Sequence, residues 1–203
     1  MVSFGKPADK SRRRVPNGPL REGRSALDPT PAATHHQHMV QDDIRVRRVA
    51  YGDAVELARF YANLSEGSRA ARFHAASRGV THRQAVEFAS ADHRRRDGFV
   101  AVSGGRIVGH LVLEPMGTGT NELAMAVDDR VQHHGVGTLL MAAAVASARL
   151  RGVRRIVAWV KPENGAMERL LTSSRHPLRL CWEGSVARYE LDVPRDLSGR
   201  VAA

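Results

Sequence analysis

Cysteine is nearly missing: Cys181 is the single one in 203 residues. That excludes an internal disulfide framework and fits a reducing compartment. Aromatic residues make up only 5% of the chain, so any core must be built from Ala, Val and Leu. No apolar run approaches the ~20 residues of a membrane-spanning helix. No signal-peptide pattern opens the chain either, because Arg12–Arg14 is followed by Val-Pro-Asn-Gly-Pro and not by an apolar stretch. A soluble, cytoplasmic protein without membrane contact is expected. Lysine is scarce as well: Lys6, Lys10 and Lys161 are the only ones among 31 basic side chains. Genome composition explains such an arginine bias more simply than dedicated arginine recognition does. Acidic residues number 21, leaving a formal net charge of +10, which suits an anionic cofactor and would also suit nucleic acid.

A chain of this length defaults to one domain with a real core. Residues 1–41 are rich in Pro, Gly, Arg and Ser without periodicity, and are expected to be a disordered basic tail. Met39 would serve as an alternative start. His35, His36 and His38 lack accompanying carboxylates or Cys, so they are read as polar tail and not as a metal site. Ile44–Val49 alternates with period two and predicts a strand. Asp53 is expected to cap a helix reaching Tyr61, and Ser65 opens a second helix ending at Phe73. Thr81 caps a third, with Ala85, Val86 and Phe88 inward. Arg94–Arg96 reads as solvated surface. Phe99–Ser103 and Arg106–Glu114 form a hairpin turning at Gly104-Gly105. Leu178–Trp182 and Val186–Val193 close the domain near residue 195, and 196–203 reads as a frayed end.

The stretch Asn121–Val160 organises the rest. It reads as a strand (Asn121–Val127), a glycine loop (Gln132–Thr138), an Ala/Leu-rich helix (Leu139–Leu150) and a second strand (Val153–Val160). Gly152 stands where a helix C-terminal glycine belongs. A glycine turn opening a helix presents unpaired N–H groups at the positive end of the helix dipole, which makes a phosphate site. Strands followed by a strand–helix–strand unit imply a mixed α/β sheet.

Gln132-x-x-Gly135-x-Gly137 in this context resembles the pyrophosphate loop of the GNAT superfamily of acetyl-CoA-dependent N-acetyltransferases. The resemblance runs from about Ile44 to Val193. It implies a mixed central sheet of about seven strands with flanking helices, the fourth and fifth strands splaying to admit acetyl-CoA, and no metal. Leu64-Ser65-x-x-Ser68-x-x-x-Arg72-Phe73 and Asn121-Glu122-x-Ala124-x-x-Val127 resemble segments of bacterial Pat-type protein lysine acetyltransferases. Glu163-Asn164-x-x-Met167 and the ending Tyr189–Val193 do so too. These imply a lysine on a protein, such as an acyl-CoA synthetase, as acceptor. His133 and His134 stand where those relatives have Gly and Arg. Leu170 and Leu171 occupy the region of a tyrosine that serves many members as general acid.

The resemblance assigns the amides of Gln132, His133, His134, Gly135, Val136, Gly137 and Thr138 to the pyrophosphate. It gives the Val127 N–H to the thioester carbonyl and Asn164 to the pantetheine or adenosine. The attacking amine must lose a proton, and Glu122, in an otherwise apolar strand, is the expected base, directly or through water. Its bland alternative is the polar first residue of a strand. Asp128 and Asp129 read as loop carboxylates, His110 as structural, and Cys181 as a small core residue. Three other functions stay open: an N-acetyltransferase acting on a small amine, a non-catalytic acyl-CoA-binding module, and nucleic-acid binding, the last disfavoured because no recognition motif accompanies the charge. Oligomeric state is not legible.

Overall fold

The computed structural model describes residues 44–73 and 80–195. The expectations for the basic tail, its histidines and the C-terminal end lie outside those residues. The chain runs β1 (Arg45–Arg48), α1 (Ala54–Asn63), α2 (Glu66–Phe73), α3 (His82–Ala89), β2 (Asp97–Ser103), β3 (Arg106–Pro115) and β4 (Thr120–Val127). It continues with α4 (Val136–Leu150), β5 (Arg155–Val160), α5 (Gly165–Thr172), β6 (Leu178–Glu183) and β7 (Val186–Asp192). One seven-stranded sheet has the order β1-β2-β3-β4-β5-β7-β6. It is antiparallel throughout except for β4 and β5, which are parallel. This is the mixed α/β sheet with flanking helices that the sequence implied.

The parallel pairing is short. Only Thr120, Asn121 and Glu122 pair with β5, opposite Arg155, Ile156 and Val157, and the strands then part. β4 stays bonded to β3 as far as Val127, and β5 to β7 as far as Val160, so the sheet opens as a V between them. Side chains alternate along β4. Leu123, Met125 and Val127 join the larger core, where Leu140, Met141, Ala144 and Ala148 of α4 cover the sheet. Ala126 joins the second core on the opposite face, with Leu57, Phe60 and Tyr61 of α1 and Ala85 and Ala89 of α3.

Local chemistry explains most ends. Thr81 Oγ1 accepts from Gln84 N and the Gln84 side chain answers the Thr81 N, a complete capping box. Gly104 and Gly105 turn the hairpin with positive φ. Asp53 does not cap α1 as expected. A single turn of 3₁₀ helix (Tyr51–Asp53) precedes α1, and the Asp53 carboxylate is taken by Arg47 (2.7 Å) and the Ala50 N–H (2.8 Å). On α3 the fully buried residues are Ala85 and Ala89, with Val86 and Phe88 packed partly against them. Arg96 is not solvated: it is half-buried, with Nε 2.6 Å from Glu114 Oε1 and its guanidinium over Phe88. Cys181 is not in the core, because β6 is an edge strand and leaves it exposed.

His110 is structural, as read. It lies fully buried among Tyr61 and Phe88, sharing a 2.9 Å hydrogen bond with Tyr61 Oη. Burial, then the positive charges of Arg72 and Arg96, push its pKa down to about 3, so it is neutral in the fold. No described helix is long and apolar enough to cross a membrane. Among the described residues no group of three or more His, Cys, Asp or Glu could hold a metal ion.

Candidate functional site

The V between β4 and β5 opens into a cavity of about 680 Å³. The start of α4 forms one side of it. The helix begins three residues earlier than its composition suggested, at Val136, with Gly135 in the left-handed region (φ 80°) at the N-cap position. Leu139 N donates to Gly135 O at 3.0 Å, closing the first turn. The N–H groups of Gly135, Val136, Gly137 and Thr138 therefore have no acceptor within the helix. All four residues line the cavity. Glycine at 135 has no side chain that could cap the helix, and no acidic residue occupies the first turn.

A glycine that sequence reasoning missed seats this helix. A Cβ on Gly109 of β3 would lie 2.9 Å from Leu140 Cδ1 and 3.0 Å from Val136 Cγ1. Without one, the first turns of α4 press directly onto the sheet. A hairpin strand with an internal glycine was the only signal.

Val127 also lines the cavity. Asp128 N donates to Val108 O, so the alternation of the strand turns the N–H and C=O of Val127 away from β3, into the V. Gln132 occupies that carbonyl, its Nε2 lying 3.3 Å from Val127 O, 3.2 Å from Ser68 Oγ and 3.4 Å from Asp129 Oδ1. Gln132 thus lines the cavity while bracing the loop from within. His133 lines it too, exposed and with φ 65°. That backbone angle gives a physical reason for the glycine expected at this position in relatives. His134 is not on the cavity wall; its Nδ1 pairs with Gln132 O at 2.9 Å.

Asn164 caps α5, its Oδ1 accepting from Met167 N at 3.1 Å, and sits where the cavity meets a smaller recess of about 240 Å³. Leu170 faces the cavity, whereas Leu171 is in the core.

Asp129 is the centre of a network not foreseen. Its carboxylate accepts from Ser65 N (2.9 Å), Ser65 Oγ (2.8 Å) and Ser68 Oγ (2.6 Å). Burial pushes this carboxyl up, but the hydrogen bonds outweigh it and hold the pKa below the ordinary value. The Leu-Ser-x-x-Ser segment thereby ties α2 to the glycine loop, and Ser68 reaches the cavity wall. Asp128 meanwhile accepts from the Arg130 backbone N–H and guanidinium.

Glu122 lies apart from the cavity wall. It is half-buried in the last row before β4 and β5 separate, opposite Val157 on one side and Glu114 on the other. It shares the sheet face of Ala124 and Ala126, and Ala126 does line the cavity.

The fit to a diphosphate cofactor rests on this geometry: four free N–H groups, a glycine cap and an open cradle. A Cβ added at Gly137 would meet Leu170 Cδ2 at 3.4 Å, on the cavity side.

Comparison with known proteins agrees. The family model described as "Acetyltransferase (GNAT) family" matches residues 60–174. The GNAT domain of S. lividans PAT is 30% identical, with TM-score 0.69, covering 73% of this chain and 90% of that one. YncA from Salmonella typhimurium, solved with its cofactor acetyl-CoA, is 17% identical with TM-score 0.58, covering 79% and 99%. A cAMP-binding acyltransferase from Mycobacterium smegmatis is 24% identical with TM-score 0.53, over 74% of this chain and 44% of that one. No curated protein sequence matches at a significant level. The open helix start, the split between the parallel strands and the match over residues 60–174 place this chain in the GNAT acetyltransferase family.

Proposed function

We propose that the protein is an acetyl-CoA-dependent N-acetyltransferase whose acceptor is a lysine side chain of another protein, of acyl-CoA synthetase type. The observation that carries the cofactor half is the set of unbonded N–H groups of Gly135–Thr138 facing the cavity. Those amides hold the diphosphate, His133 stands at the rim, and Asn164 meets the pantetheine or adenosine side. Acetyl-CoA, when bound, supplies the acyl thioester. The Val127 N–H, turned into the V, donates a hydrogen bond to the acyl carbonyl oxygen, where negative charge develops. Glu122 removes a proton from the acceptor ammonium, directly or through a water held along the Glu122–Ala126 face. The acceptor half rests on the four Pat-like segments and on the likeness to the S. lividans domain.

The test is incubation with labelled acetyl-CoA and a candidate synthetase. Label should appear on lysine, and Glu122→Gln should lower turnover by about 10²–10⁴ while leaving the CoA dissociation constant unchanged. Undiminished transfer by Glu122→Gln removes the base; absence of CoA binding by calorimetry removes the whole reading. A non-catalytic acyl-CoA-binding module is favoured by one observation: Leu170, not a proton donor, faces the cavity, and Glu122 stands off its wall. Tight CoA binding without turnover over a broad panel of amines and proteins decides for it. Turnover of free amines alone would move the acceptor to the small-molecule class.

A further inference from the structure

We propose that the free edge of β6 is a self-association surface, through which a second copy of this chain continues the sheet. β6 ends the strand order, with β7 on one side and no described strand on the other. An edge strand left open is usually guarded by charge, proline or a bulge. β6 carries charge on one face only; its other face shows Leu180 and Trp182, 50% and 60% exposed. Arg179, Cys181 and Glu183 occupy the charged face.

The pairing pattern says which backbone groups are available. Asp192 N donates to Pro177 O at 3.0 Å, and the register continues as Arg179 opposite Glu190, Cys181 opposite Arg188 and Glu183 opposite Val186. Residues 179, 181 and 183 thus turn their N–H and C=O groups toward β7, and Pro177 turns its C=O there. Those of Leu178, Leu180 and Trp182 turn outward.

An antiparallel second copy centred on Cys181 fits this edge on both faces. Leu180 of each copy falls opposite Trp182 of the other, in hydrogen-bonded pairs, giving a four-residue apolar cluster. On the other face Arg179 of each copy falls opposite Glu183 of the other. Registers shifted by two residues place Cys181 opposite Arg179 or Glu183 and lose both charge pairs. Arg179 and Glu183 are already held near the edge by their own chain, Arg179 by Asp192 at 2.6 Å and Glu183 by Arg188 at 3.6 Å. The contact is one short strand per copy, so association belongs to the weak, concentration-dependent class.

Cys181 is the only cysteine, and in this register its two copies form a non-hydrogen-bonded pair with Cα atoms ~4.5 Å apart, within disulfide reach. The experiment is sedimentation velocity of the full chain across the micromolar range, with mild oxidation of parallel samples. A reversible monomer–dimer equilibrium and a Cys181-linked dimer are expected. Trp182→Glu and Leu180→Lys, each leaving Cys181 in place, should raise the dimer dissociation constant and lower the cross-link yield by at least ~10-fold. Thermal unfolding checks that each variant is folded. A monomer at every concentration overturns the proposal. So does a dimer indifferent to both substitutions, or a cross-link that forms equally in the variants and so reports collision alone.

Discussion

Helices α3 and α4 begin in opposite ways. At α3, Thr81 and Gln84 bond each other's backbone N–H groups, and the helix start is closed by its own side chains. At α4, Gly135 occupies the cap position with φ 80° and no side-chain acceptor, and the first-turn amides face a cavity of about 680 Å³. The chain has the means to cap a helix and uses them where only stability is at stake. Where it leaves four donors open beside a cavity, the proposed function makes the cofactor's diphosphate the missing cap.

The hardest blow to this contrast is Gly135→Val. A β-branched residue at positive φ is strained, and its bulk enters the cradle. Loss of one hydrogen bond to a charged group corresponds to about 10–100-fold in affinity, so calorimetry should show CoA binding weakened by at least that range.

His110 sharpens the contrast from the other side. Its Nε2 also lacks a partner, but it is sealed inside the second core where no ligand arrives. The open amides appear as affinity; the buried ring appears as acid sensitivity, because burial and the charges of Arg72 and Arg96 disfavour its protonated form. With a folded pKa of about 3 against about 6.5 unfolded, the unfolded state takes up the proton first. Stability is therefore full above pH 6.5 and falls as pH drops toward 3, by about 2 kcal/mol at pH 5. Chemical denaturation across pH should show this slope with or without CoA, and His110→Phe should flatten it.

Thr138→Glu should split two readouts that usually move together. A carboxylate in the first turn of an uncapped helix stabilises the ligand-free protein by about 0.3–1 kcal/mol. The same charge repels the diphosphate, so CoA affinity should fall about 10-fold. Thr81→Ala is the mirror: about 1 kcal/mol of stability lost and CoA affinity unchanged. If both variants shift CoA affinity alike, the distinction between the two helix starts is void. The smallest effect is His133→Gly, which relieves a left-handed side chain (φ 65°) and should raise the thermal midpoint by the equivalent of about 0.5 kcal/mol.

Much of the fold could be read from local pattern, because each element carries its own signal. The Thr81 cap, the Gly104-Gly105 turn and the apolar alternation of Asn121–Val127 need only near neighbours. Propensity alone starts helix α4 late, because Gly137 and Thr138 disfavour helix; packing of Val136 on Gly109 overrides that. Cys181 reads as a small core residue from sequence, because sequence does not say which strand ends a sheet. The Ser65–Ser68–Asp129 clamp joins residues about sixty positions apart, and neither serine nor aspartate signals a partner that distant.

Taken alone, the order of residues settled the mixed sheet and the glycine-opened helix. These follow from backbone geometry that a few adjacent side chains dictate. Only the folded molecule decided where β4 leaves β5, that Val127 turns its N–H into the gap, and that Glu122 stands in the last paired row and not on the cavity wall. Those outcomes depend on strand register, which sums weak contributions from both cores and is written in no single segment.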